Sequence, residues 1–248
     1  MADPAAIATE LPPKGYGCIP SPPDPRDHPP AGLEALGAGY AELPLAISPL
    51  PAVWDQVGET CVGQAVAGAV QTALWPILHR WPFDERSALE LYALCKQRDG
   101  LPDTPGTYIR VALAIAKDTG ILGVDGIRYK ITGYQNLMLA ADRRAAVRAA
   151  LALGRPIVRG MTWWWTTASG GLMLEPVGDL TRPAPGHAIY QWRNLIDGNM
   201  THPAPFPGSE VDTDRNSWGA EFGSNGNGNV MSSTQELYTF EAWTFTVR

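Results

Sequence analysis

A cysteine, a histidine and an asparagine, far apart in sequence and each set in a distinctive short stretch, constrain this chain more than any other feature. Cys61 lies in D-Q-V-G-E-T-C-V-G-Q-A (residues 55–65), His187 follows 126 residues later in P-G-H-A-I-Y (185–190), and Asn216 follows 29 residues after that in R-N-S-W-G (215–219). These three residue types act together only if the fold brings distant segments to one place, where they supply a nucleophile, a base and an orienter for acyl transfer. The thiolate, not the thiol, attacks a carbonyl carbon, so Cys61 needs a neighbour that takes its proton, and His187 is the candidate. Asn216 would hold one ring nitrogen of His187 with its side-chain carbonyl, leaving the other to face the sulfur. Gln56, five residues before Cys61, offers a side-chain N–H, and the Cys61 backbone offers a second, to stabilise a developing oxyanion.

The texture of the chain supports a helical half and a sheet half. Residues 1–50 contain many prolines, among them Pro12, Pro13, Pro20, Pro22, Pro23, Pro25, Pro29 and Pro30, and read as an extended arm lying across the folded body. Residues 51–155 form the helical half. One helix should start at Cys61 and bend or end at Pro76, and others are expected over 87–98, where S-A-L-E makes a capping box, and over 108–119 and 142–153. A helix N-terminus at Cys61 would favour its thiolate, because unpaired amides and the positive dipole end lie there. Residues 156–248 form the β half, with strands expected over 157–163, 187–192, 228–231 and 238–247 of a mostly antiparallel sheet or barrel. The fold class is α+β, with Cys61 on the helical wall and His187 and Asn216 on the sheet wall of a cleft between the halves.

At these residues the chain resembles the papain-like cysteine peptidases. N-S-W-G, followed by A-E-F-G-S-N-G-N-G (residues 220–228), is the most specific match. The segments G-Y-G-C-I-P-S-P-P-D-P-R-D-H (15–28), G-T-Y-I-R-V-A-L (106–113) and G-R-P-I-V-R-G-M (154–161) are similar to bacterial and phage-type members without a pro-domain. The sequence departs from the family around the cysteine: Glu59 and Thr60 stand where Gly-Ser is usual, Val62 stands where Trp is usual, and the interval from Gln56 to Cys61 is one residue short. The resemblance implies a papain-like fold, cleavage of peptide bonds in a peptide or protein substrate, catalytic roles for Cys61, His187, Asn216 and Gln56, and a supporting Trp218 that covers the His–Asn contact. It implies no cofactor. Two other readings stand beside it: a component of a phage particle that uses a peptidase-like domain and its arm to bind other subunits, and a cysteine amidase or endopeptidase acting on peptidoglycan.

Composition narrows the classes further. A formal charge of −6 with no run of Lys and Arg argues against nucleic-acid binding. No secretory signal and no stretch of about 18 apolar residues for a membrane span is evident. Three cysteines, Cys18, Cys61 and Cys95, cannot all pair, which fits a free thiol in a reducing cytoplasm, or a virion if the chain is of phage origin. The short N-terminal region leaves no room for a helical inhibitory pro-domain, so control by location or partners is expected. Cys18 and Cys95 read as core residues, and His28, His79 and His202 as surface ones. Trp163, Trp164 and Trp165 read equally as groove lining or as packing. Asp212, Asp214 and Asn216 begin a calcium-loop pattern, but Ser217 replaces the required glycine and Gly223 the final glutamate, and the cysteines are too dispersed for zinc.

Overall fold

The computed structural model describes residues 15–40, 45–163, 165–167, 174–176, 185–196 and 210–248. A short helix α1 (Leu33–Gly37) and a two-residue strand β1 (Leu45–Ala46) precede the long helix α2 (Cys61–Leu78). Helices α3 (Glu85–Arg98) and α4 (Ile109–Asp118) follow, then a hairpin of β2 (Ile121–Leu122) and β3 (Arg128–Tyr129), strand β4 (Ile131–Asn136) and helix α5 (Arg143–Ala152). Next come β5 (Ile157–Thr162), a hairpin of β6 (Trp165–Thr167) and β7 (Leu174–Pro176), β8 (Gly186–Ile196), β9 (Glu210–Arg215), β10 (Asn227–Met231), helix α6 (Ser232–Tyr238) and β11 (Thr239–Val247).

Helix α2 is the spine of the fold. Every residue from Cys61 to Leu74 is buried, and small residues let neighbours approach closely. A side-chain carbon at Gly63 would fall 2.4 Å from the Ala88 carbonyl oxygen of α3, and one at Gly68 would fall 2.9 Å from the Tyr190 ring of β8. Val66, Val70, Leu91, Ile109 and Leu113 then share one core with Ala188, Tyr190, Trp243 and Phe245 of the sheet. The helix runs two residues past Pro76 and ends at His79, whose left-handed backbone returns its N–H to the Trp75 carbonyl. With 18 residues, α2 is long and apolar enough to cross a membrane, which corrects the expectation that no such stretch exists; 78% of it is buried inside the protein.

The main sheet runs β10-β9-β8-β5-β11-β4, all antiparallel, with β1 paired to β8. The expected strands lie within it, close to their expected bounds. Strand β4, in the stretch read as helical, is an addition: it pairs with the C-terminal β11. Helix α6 is likewise an addition to the half read as strands. The capping box of α3 sits one turn before Ser87. Asp84, whose backbone is extended, accepts from the Ser87 backbone N–H at 3.1 Å, and the Ser87 hydroxyl, already inside the helix, accepts from the Asp84 N–H at 3.4 Å.

A polar layer lies within the sheet half. Arg159, fully buried, donates to Gln191 at 2.5 and 3.0 Å, and Gln191 and Asn194 both donate to Asp212 at 2.6 and 2.7 Å. Asp214 accepts from Gln235, and burial pushes its carboxyl up to about 8. The aspartates of the D-x-D-x-N pattern are thus engaged by side chains of the protein itself.

Candidate active site

Three elements bring the expected residues together. Cys61 opens α2 on one wall, His187 is the second residue of β8, and Asn216 follows the last residue of β9. The antiparallel pairing of β8 with β9 sets Tyr190 opposite Arg215, which places Asn216 beside His187. The His187 Nε2 and Asn216 Oδ1 atoms are 2.9 Å apart, and Asn216 Oδ1 also accepts the Ser217 backbone N–H at 2.7 Å. With Nε2 as donor, Nδ1 is left as the base. It is buried and makes no hydrogen bond among the described residues.

Aromatic rings seal that pair. Trp218 lies with its ring centroid 4.7 Å from that of His187, as expected of a covering residue, and Trp163 approaches from another side at 4.6 Å. Trp163 is therefore packing around the histidine, not groove lining. Trp164 lies outside the described residues, as do His202 and the side chain of Trp165. Cys95 is buried in the core, and Cys18 is buried within the arm. His28 and His79 are exposed.

Gln56 reaches the cleft from the loop before α2. Its Nε2 donates to the Gly15 carbonyl at 2.8 Å and the Gly58 carbonyl at 2.9 Å, while its Oε1 accepts the Ser217 hydroxyl at 2.6 Å. The Ser217 contact ties the glutamine to the segment that carries Asn216, a link the sequence did not signal.

The group that covers the site is the chain's own N-terminal arm. Gly17 donates its N–H to the Cys61 sulfur at 3.3 Å, Cys18 donates to the Gly186 carbonyl at 3.0 Å, and Gly17 and Ile19 bracket Thr107 in a parallel bridge. Tyr16 stands edge-on to both His187 and Trp218, with centroids 6.0 and 5.7 Å away. The fit depends on glycines from both sides. A side-chain carbon at Gly17 would lie 1.8 Å from the Glu59 oxygen, at Gly106 2.5 Å from the Gly17 oxygen, and at Gly186 2.0 Å from the Cys18 oxygen. The repeated glycines of G-Y-G-C were the available signal for this contact. Glu59, one of the departures from the family pattern, forms part of the arm's seat.

Burial sets the proton inventory. Burial pushes the Cys61 thiol up to about 11, although the backbone N–H groups of Ala188, Gly17, Val62 and Cys61 itself favour the thiolate. Burial also pushes His187 down to about 4, against the opposing bond to Asn216. The resting pair is a thiol and a neutral imidazole. At the α2 N-terminus the pull toward a thiolate is thus opposed by desolvation of the buried sulfur.

No family model and no curated relative matches the chain. Solved structures do. Xylellain, a cysteine protease from Xylella fastidiosa, superposes with a TM-score of 0.69 at 21% identity, covering 95% of this chain and 97% of that one. The proform of the ragweed pollen cysteine protease Amb a 11 gives 0.61 at 17% identity over 90% of this chain and 72% of that one. Procathepsin L 3 from the larval midgut of Tenebrio molitor gives 0.61 at 14% identity over 98% and 79%. The mixed helix and antiparallel-sheet architecture, the site between its two walls and these neighbours together identify the fold of this chain as that of the papain-like cysteine proteases.

Proposed function

We propose that the chain is a thiol hydrolase that cleaves peptide bonds through an acyl-enzyme, and that the covered cleft is its latent form. One observation carries the reading: a length of peptide already lies in the cleft, with the Gly15 carbonyl on Gln56 Nε2 and the Gly17 amide on the Cys61 sulfur. The surface that holds this peptide is built from the groups that catalysis on a peptide requires.

With the arm displaced, water and substrate reach the pair and the burial that holds both groups neutral is relieved. His187 Nδ1 takes the Cys61 proton, and the sulfur attacks the carbonyl carbon to form a tetrahedral intermediate. Gln56 Nε2 and the Cys61 backbone N–H donate to the resulting oxyanion. The imidazolium returns its proton to the departing amine as the C–N bond breaks, leaving a thioester. Water, deprotonated by His187, then attacks the thioester and releases the acid and the thiol. Asn216 keeps Nε2–H engaged throughout, and Trp218 and Trp163 exclude water from that bond.

The arm presents the sulfur with the Gly17 N–H, a donor, at 3.3 Å. Treatment with a thiol-directed epoxide, followed by mass spectrometry, should place the adduct on Cys61 and abolish cleavage of a denatured protein substrate. Full hydrolytic activity in Cys61→Ala would overturn the assignment.

A further inference from the structure

Helix α2 buries two amide side chains that its packing does not explain. Gln64 and Gln71 are 3% and 1% exposed, in a stretch otherwise made of small and apolar residues plus Thr72. Thr72 is satisfied, since its hydroxyl donates to the Gly68 carbonyl at 2.8 Å and lies 3.3 Å from the Tyr190 hydroxyl. The glutamines are different. Neither amide atom of Gln71, nor the carbonyl oxygen of Gln64, has a hydrogen-bond partner among the described residues. A buried polar atom left in that condition is costly, so retaining several in one helix calls for a reason.

Their positions supply one. Residues 64 and 71 are seven apart, two helical turns, so both face the same way, and Gly68 between them leaves room. They line a small cavity together with Gly68, Tyr190, Arg215 and Asn216. About 20 Å³ of it is open to the centre of a water molecule, enough for one water. Asn216, which lines the same cavity, carries a fourth unpartnered buried atom: Nδ2, the far end of the amide whose oxygen serves His187.

We infer that Gln64 and Gln71 are positioning residues that act on Asn216 through a water held in this cavity. The inference rests on the hydrolase reading for its functional meaning, but not for its geometry. A water has two acceptor and two donor positions. It accepts the Asn216 Nδ2–H and the Gln71 Nε2–H, and it donates to the carbonyl oxygens of Gln64 and Gln71. The consequence is orientational. Asn216 Oδ1 receives N–H groups from His187 and Ser217, and a flipped amide would turn its own NH₂ against both. Water anchored by two glutamines accepts only from an NH₂ group at that end, so the amide stays unflipped. His187 then stays in the tautomer with Nε2–H and a bare Nδ1.

The full chain, labelled with ¹⁵N-histidine, tests this by the ring nitrogen shifts of His187 at pH 7. Wild type should show the Nε2–H tautomer with a minor Nδ1–H share, and a folded Gln64→Leu/Gln71→Leu double variant should raise that share at least five-fold. On a peptide substrate the same variant should lose about ten-fold in kcat with KM unchanged. A folded double variant with the wild-type tautomer overturns the inference. Should the variant not fold, wild type alone decides: the Asn216 side-chain amide protons should show a cross-relaxation peak to a long-lived water, and its absence overturns the inference. A tautomer shift in a chain without peptidase activity would support the positioning role while refuting the hydrolase reading, and activity with an unmoved tautomer would do the reverse.

Discussion

Gly17 points its backbone N–H at the sulfur of Cys61 over 3.3 Å, so the candidate nucleophile is capped by a residue 44 positions earlier in the same chain. The contact does two things at once. The Gly17 N–H favours the thiolate, against the burial that raises the thiol, and its main chain fills the space that an extended substrate would use.

Replacing Gly17 with alanine should lift the arm. Its side-chain carbon would sit 1.8 Å from the Glu59 carbonyl oxygen, a distance that only backbone movement can relieve. The rate at which iodoacetamide alkylates Cys61 at pH 8, followed by peptide mass mapping, should rise at least ten-fold. An unchanged rate would mean that the arm does not control access.

Stability should fall in acid through His187. Its folded value, near 4, lies below the ordinary 6.5, so its contribution is fully present above pH 6.5 and is lost as pH falls through 4. The loss between pH 7 and pH 4 is on the order of 3 kcal/mol. Urea denaturation across that range should show this decline in wild type and a shallower one in His187→Gln.

Asp214 works in the opposite direction. Burial raises its carboxyl to about 8, so the stability it contributes is complete below about 3.8 and disappears as pH rises through 8. Asp214→Asn keeps an acceptor for Gln235 but cannot ionise. The variant should gain on wild type in denaturation midpoint between pH 7 and pH 9, and equal losses in both chains over that range would exclude the effect.

Gly63→Ala should destabilise the fold, although alanine is the better helix former by roughly 1 kcal/mol. The added carbon would lie 2.4 Å from the Ala88 carbonyl oxygen, and backbone packed on backbone cannot yield cheaply. Overpacking of about 1–3 kcal/mol outweighs the propensity gain, so the thermal midpoint should drop by several degrees. A raised midpoint would show that α2 and α3 are less tightly joined than their spacing indicates.

The catalytic stretches were legible because their chemistry is local: Cys61 precedes a run of small and apolar residues, and His187 and Asn216 sit at strand ends marked by Gly, Pro and Trp. Helices α4 and α5 fell within one residue of their expected bounds, since Tyr108, Asp142, Gly120 and Gly154 punctuate them. Strand β4 was not legible. I-T-G-Y-Q-N carries a central glycine and two amides, and it is a strand because β11, over a hundred residues later, offers it a partner. The burial of Cys61 was also beyond local reading, because helix position argued for a thiolate while desolvation of the packed sulfur pushes the other way.

Strand β4 also bears on how the enzyme would open. It leaves the helical wall, joins β11, and β11 continues the same ladder through β5 to β8, which carries His187. The segment between the helices of one wall and the strands of the other is thus laced into the sheet, through the ladder of β4 and β11. Access would come by peeling. Among the described residues, the strip of chain over Cys61 is held by a few amides and a row of glycines, so it can leave while the contact of His187 with Asn216 stays intact.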